Sequence, residues 1–371
     1  MMLNDNKWKK VELCDIISFA NGKKRPAGNG SIPVYGGNGI LAYTNVSNAA
    51  DCIIIGRVGA YCGSVFYENK NCWVSDNAIM AKAKEQVNNL FCYYLLRYLQ
   101  LNKRHIGTSQ PLLTQEILNK ITVSVPSLNG QEKIAQVLSS LDDKIELNAQ
   151  INHNLEEQAK AIFKSWFVDF EPFGGVAPDN WQKGKLKNIL SLQKRPIKAG
   201  ISKDLPYLPI DSIPMRTFAI TDVRPNSEAQ SSLLLFDKDD ILIGAMRVYF
   251  HRVIIAPFDG ITRTTCFVLK PNDPAYLSFA LLTCDLDSSV DFAQKTSKGS
   301  TMPYAVWDGG MGEIDILIPP LNIAMEFNSI VLPMLRKIQD SYREVYSLQK
   351  LRDVLLPKLM SGEIDVSEVE V

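Results

Sequence analysis

The sequence predicts an α+β protein with a pseudo-two-fold internal repeat: two mixed α/β globular units joined by two long antiparallel coiled-coil helices. Three observations carry that expectation. Segments recur along the chain, apolar residues follow heptads in two stretches, and short β-branched runs punctuated by Gly, Asn and Pro fill the rest. Trp8-Lys9-Lys10-Val11-Glu12-Leu13 returns as Trp181-Gln182-Lys183-Gly184-Lys185-Leu186. GTSQP at 107–111 returns as GSTMP at 299–303, and ITVSVPSLN at 121–129 returns as IDILIPPLN at 314–322. The spacing between partners grows along the chain, so the second unit carries insertions. The expected boundaries are 1–128 for the first unit and 129–173 for a central helix, then 174–321 for the second unit and 322–371 for a distal helix and tail.

In the first unit, strands are expected at 52–55, 64–66 and 121–125, with one helix near 90–101. Asn129 is placed to cap the central helix, and Glu132, three residues on, completes a capping box. Ile134, Leu141, Leu155 and Ile162 then share one heptad position, with Asn148 between them, while Val137 and Ile151 share the second. Gly174-Gly175 stops this helix. Trp166, Phe167, Phe170 and Phe173 read as an anchor that packs its end onto a globule. The second unit repeats the pattern, with strands at 241–243, 253–255 and 314–318 and one helix near 275–284. In the distal helix Phe327, Met334, Leu348 and Leu355 take the first heptad position, and Ile330 and Leu351 the second. Pro333 is expected to kink it or mark its start, and Gly362 to end it. Polar interruptions at Lys144, Gln158, Ser341 and Glu344 imply that the helices need each other and a further partner.

A chain of 371 residues suits two domains, and 46% hydrophobic residues suffice for real cores. No run of 18 apolar residues and no apolar leader is present, so a soluble, cytoplasmic protein is expected. Seven cysteines without a C-x-x-C predict neither a disulfide framework nor a zinc site. The net charge of zero argues at first against nucleic acid, yet residues 1–125 carry 14 Lys/Arg against 8 Asp/Glu, and residues 126–172 carry 4 against 8. Basic charge thus gathers on the first globular unit. No phosphate-binding loop is found, no acidic or amide residue stands before Pro-Pro-aromatic, and the carboxylates beside a lysine at Asp237-Lys238-Asp239-Asp240 read as a turn. The expectation is therefore no catalytic residue, no metal and no cofactor in this chain.

Sequence reading of DNA needs donors and acceptors on loops, with Lys, Arg or backbone amides for phosphates. In the first unit the candidates are Lys24 and Arg25 in a polar loop, Tyr35 and Asn38 in IPVYGGNG, Arg57 after an apolar run, and Ser109 and Gln110 in the loop before Pro111. In the second they are Lys194, Arg195, Arg247, Arg252, Arg263, Thr264, Lys298 and Thr301. Arg57 nearly aligns with Arg247, each just after an apolar strand that ends in glycine. Tyr61 and Tyr249 are expected to be half-buried.

Four stretches resemble the specificity subunits of type I restriction-modification systems: IFKSWFVDFEPF (162–173), LRDVLLPKLMSGEI (351–364), IPVYGGNG (32–39) and VPSLNGQEKIAQVLSSLDDKI (125–145). The resemblance implies a non-catalytic subunit that binds a bipartite double-stranded DNA target. It also implies recruitment of two methyltransferase subunits and, in some systems, two motor-nuclease restriction subunits. S-adenosylmethionine, ATP and Mg2+ would belong to those partners. The second unit departs from the first, with LPYLPIDSI (205–213) in place of IPVYGGNG and GSTMP in place of GTSQP, which implies unlike half-sites and an asymmetric target. The competing expectation is a coiled-coil adaptor that presents two protein-binding modules and reads no DNA.

Overall fold

The computed structural model describes residues 8–107, 110–201, 204–220 and 222–366. The chain forms two compact units, one from Met1–Lys144 with Leu348–Val371 and one from Ile145–Ser347.

The first unit holds β1 (Lys9–Glu12), α1 (Leu13–Ile16), β2 (Ile17–Asn21), β3 (Ile32–Gly36), β4 (Gly39–Thr44), β5 (Ala49–Gly56), β6 (Val65–Val74), β7 (Ala78–Ala83), α2 (Asn89–Tyr98), α3 (Gln115–Asn119), β8 (Thr122–Val125) and the start of α4 (Leu128–Phe167). Six strands make one sheet in the order β2-β7-β5-β6-β3-β4, antiparallel throughout except where β3 runs parallel to β6. The apolar run Ile53-Ile54-Ile55 lies at its centre and is wholly buried, as a central strand covered on both faces requires. Asn88 starts α2 by accepting the Phe91 N–H at 2.8 Å, and Phe91, Tyr94 and Leu95 then face the core. Each such buried side chain contributes about 1.5–3 kcal/mol.

The second unit holds the rest of α4, then β9 (Gln182–Lys185), β10 (Leu190–Leu192), β11 (Pro196–Ile197), β12 (Leu233–Phe236), β13 (Ile241–Gly244), β14 (Val253–Ile255), β15 (Gly260–Arg263), β16 (Cys266–Pro271), α5 (Leu277–Asp285), α6 (Asp287–Lys295), β17 (Asp315–Ile318) and most of α7 (Leu321–Ser361). Its sheet order β10-β16-β13-β14 repeats β2-β7-β5-β6 of the first unit, and β11-β12-β15 is a separate three-stranded sheet. The two motifs that frame each repeat pair with each other: β1 with β8, and β9 with β17, both antiparallel. Directly after them the Leu13 N–H reaches the Ile121 carbonyl at 2.9 Å, and Leu186 reaches Ile314 at the same distance. Two helices, α5 and α6, stand where one was expected, because the chain turns at Leu286 into an extended ψ of 138°.

Helices α4 and α7 are both unbroken, and within each unit their segments pack antiparallel. In the first unit Asp142 meets Arg352 at 2.7 Å, while Ile134 and Leu138 share a core with Leu359 and Met360. In the second unit Asn152 and Ser341 pair through two hydrogen bonds of 2.6 and 2.8 Å, and Phe167 meets Phe327 ring to ring at 4.8 Å. The expected aromatic anchor forms there, with Phe167 against Phe279 and Phe173 against Trp181. Two helix signals need correction. Ser127 caps α4, taking the Gly130 N–H on its hydroxyl and the Gln131 N–H on its carbonyl, so Asn129 lies inside the first turn. Pro333 sits within α7 without ending it, since it lies on the exposed face where water can serve the carbonyl it leaves unbonded. Gly362 does end α7, at φ +77°, and a Cβ there would come within 2.7 Å of the Trp8 indole. No helix among the described residues is long and apolar enough to cross a membrane.

Candidate nucleic-acid interface

Each unit builds the same small frame at the end of its central strand. In the first, β5 ends at Gly56; the Arg57 N–H then donates to the Asn77 carbonyl at 3.0 Å, and the Arg57 carbonyl accepts from Leu113 at 2.9 Å. Gly59 donates to the Pro111 carbonyl at 3.0 Å and opens a 3-10 turn, Gly59–Tyr61. Ile106 and Leu112 exchange two 2.9 Å backbone hydrogen bonds, which close the loop that carries GTSQP. In the second, β13 ends at Gly244, and Ala245 bonds to Thr265 and Ala305, both at 2.8 Å. Arg247 donates to the Pro303 carbonyl at 2.9 Å ahead of a 3-10 turn, Val248–Phe250. Lys298 and Tyr304 exchange two 2.9 Å bonds around GSTMP.

This frame corrects the alignment of the two arginines. Equivalent hydrogen bonds equate Arg57 with Ala245, and Gly59 with Arg247. The two arginines stand two residues apart on one loop, because the backbone partners and not the strand-ending glycines set the register. Gly59 and Arg247 both adopt a left-handed φ, +73° and +52°. Arg57 is half-buried and Arg247 exposed, and neither guanidinium has a partner among the described residues.

Around the first frame the Gly37-Asn38 turn packs closely, with Ser64 donating its hydroxyl to the Gly37 carbonyl at 2.5 Å. A Cβ on Gly37 would lie 3.7 Å from the Cβ of Tyr61. Asn38 and Gln110 are exposed here, as are Lys24 and Arg25 on the segment between β2 and β3. Ser109 lies outside the described residues. In the second unit a groove of about 690 Å³ brings together Lys194, Thr264 and Lys298 beside Tyr304 and Trp307. Thr301 is exposed on the adjoining loop, and Arg263 is exposed at the end of β15. Lys194 stands 3.9 Å from Asp308, an exposed pair that adds little stability and leaves the ammonium available.

Three candidates leave the set because the fold uses them internally. Tyr35 points into the core of the six-stranded sheet and donates its hydroxyl to Glu68 at 3.1 Å; burial, then the Glu68 charge, pushes its pKa up. Arg195 pairs with Asp237 at 2.8 Å and holds that carboxyl below the usual range. Arg252 donates to the Ile210 carbonyl at 2.6 Å and also to the Ile213 carbonyl, with its guanidinium over the Phe250 ring. Sequence reasoning also left Tyr61 and Tyr249 out of the candidate set, although both side chains reach the surface. The one available signal was their shared place in VGAY and MRVY. Among the described residues no group of three or more His, Cys, Asp or Glu could hold a metal ion.

The family model described as "Type I restriction modification DNA specificity domain" matches residues 5–157, which include the first frame. The MjaIX specificity subunit of Methanocaldococcus jannaschii is 28% identical over 77% of this chain and 71% of its own length. The HindI specificity subunit of Haemophilus influenzae is 23% identical over 68% and 71%. A crystal structure of a type I S subunit from M. genitalium shares the fold, with a TM-score of 0.69 over 97% of this chain and 98% of that one at 19% identity. Residues 5–157 thus match a type I DNA specificity domain, and most of the chain is similar to type I restriction enzyme specificity subunits.

Proposed function

We propose that each unit reads one half of a bipartite, asymmetric double-stranded DNA target. In this reading the chain recruits two methyltransferase subunits and, where the system restricts, two motor-nuclease subunits. The observation that carries it is the repeated frame: the same backbone hydrogen bonds present different side chains, Arg57 and Gln110 in one unit and Arg247, Lys298 and Thr301 in the other. An identical scaffold with unlike donors suits two half-sites of unlike sequence, since base edges are told apart by donor and acceptor pattern. Chemistry on DNA falls to the partners, which would bring S-adenosylmethionine, ATP and Mg2+; this chain holds no cofactor of its own. The test is methyl transfer from labelled S-adenosylmethionine to a random bipartite DNA library. The chain with its methyltransferase should modify one bipartite motif, and the chain alone should modify nothing. Turnover by the chain alone, or a complex without sequence preference, overturns the proposal.

A further inference from the structure

The frame leaves one matched pair of tyrosine side chains at the surface, with the Tyr249 ring packed edge-on against Phe250 at 4.9 Å. Tyr61 closes the 3-10 turn after Gly59, and Tyr249 stands at the equivalent place two residues after Arg247. Both turns are tied by a backbone bond to the proline of the neighbouring loop, Gly59 to Pro111 and Arg247 to Pro303, so both rings are held by the same geometry. Tyr61 is 52% exposed and Tyr249 39%, and neither hydroxyl bonds to a described residue. The positions around them differ between the units: Ile106 against Lys298, Gln110 against Met302, Leu112 against Tyr304. The tyrosine persists, along with the loop-shaping pairs Gly107/Gly299 and Pro111/Pro303, while the other neighbours diverge. Other exposed apolar side chains share these surfaces, Ile106 in the first unit and Met302 and Tyr304 in the second. An apolar surface beside a free arginine suits a duplex, with the cation on phosphate or base edge and the ring against the apolar carbons of the sugar.

We infer that Tyr61 and Tyr249 are paired aromatic anchors that hold the two DNA half-sites through their rings, independently of base identity. The inference rests on the DNA-reading proposal above and adds to it. Ring contact with the sugar–phosphate backbone of a duplex is tolerant of sequence, because the sugar is the same at every base pair. It also releases no counterion, so it leaves the salt dependence of binding untouched.

The experiment uses the full chain with its methyltransferase subunits, and duplexes that carry the motif methylated by the parent complex. Binding is followed by fluorescence anisotropy over a salt series. Tyr61→Ala and Tyr249→Ala should each weaken binding about tenfold, and the double variant about a hundredfold, since the two sites are independent. Tyr61→Phe and Tyr249→Phe should stay within about threefold of the parent. The slope against salt, and the ranking of duplexes with single base substitutions, should not change. Alanine variants that bind like the parent overturn the inference. So do phenylalanine variants that lose as much as alanine, which mark a hydroxyl–phosphate contact, or a reduced salt slope, which marks the loss of a neighbouring cation's phosphate contact. If an alanine variant melts early, Tyr61→Gln and Tyr249→Gln are measured in its place with the same expectations. A parent complex without sequence preference would instead bring down the underlying proposal before any variant is compared.

Discussion

Arg247 holds a left-handed backbone conformation, φ +52°, which costs a residue with a β-carbon about 1 kcal/mol. The first unit places Gly59 at the same point and avoids that cost. An arginine kept under strain, with its guanidinium exposed and unpaired among the described residues, points to use by a ligand. Arg247→Gly should therefore leave stability to urea within about 1 kcal/mol, because relief of strain offsets the added chain entropy. The same change, like Arg57→Ala, should relax discrimination at one half-site by ~1–3 kcal/mol, read by competition between duplexes with single base substitutions. A uniform loss across all duplexes would mark a phosphate contact instead. The loop placement of Arg57, Gln110 and Arg247 was legible because Gly and Pro punctuation around apolar strands reads plainly in a sequence. Tyr35, Arg195 and Arg252 were misread because their partners, Glu68, Asp237 and the Ile210 carbonyl, lie 33, 42 and 42 residues away. Nothing local in a sequence announces such a partner.

Helices α4 and α7 were the most legible elements, since their heptads extend over many turns; α7 ends at Gly362, whereas α4 already ends at Phe167, ahead of Gly174-Gly175. Polar residues within those heptads carry information that the apolar pattern alone does not. Asn152 and Ser341 are both buried and satisfy each other, so Asn152→Ala should destabilise the second unit by about 1–3 kcal/mol. Asn152→Leu combined with Ser341→Ala should recover much of that loss, and chemical denaturation of the single and double variants checks both. Glu156, one turn further along α4, is buried and accepts the Phe218 N–H at 2.9 Å and the Thr217 hydroxyl. Burial is the largest influence on its pKa and raises it above the ordinary 4.5, against the hydrogen bonds that lower it. The folded state therefore keeps a proton that the unfolded chain has already lost. Its contribution to stability falls as pH rises from about 4.5 through the raised value, and is then constant. Glu156→Gln removes that slope, so unfolding curves at pH 4.5 and pH 7 should show the variant gaining on the parent at the higher pH. A parent-to-variant difference that is the same at both values would contradict this.

At the scale of the whole molecule, the repeat was legible because its framing motifs pair with each other within one unit: β1 with β8, and β9 with β17. A strand pair closing each repeat explains why the two motifs stay recognisable while the loops between them diverge. The three-stranded sheet β11-β12-β15 was not legible, since its strands are only two to four residues long and are far apart in sequence. The same self-closure makes each unit exchangeable, and the central claim is that each reads its own half-site. The most direct measurement replaces residues 181–320, from β9 to just past β17, with the corresponding segment of a specificity subunit of different target. The chimera is then expressed with its methyltransferase, and the host's methylated motifs are read by sequencing. The account predicts a motif in which one half-site is the parent's and the other is the donor's. A motif changed in both halves would contradict it.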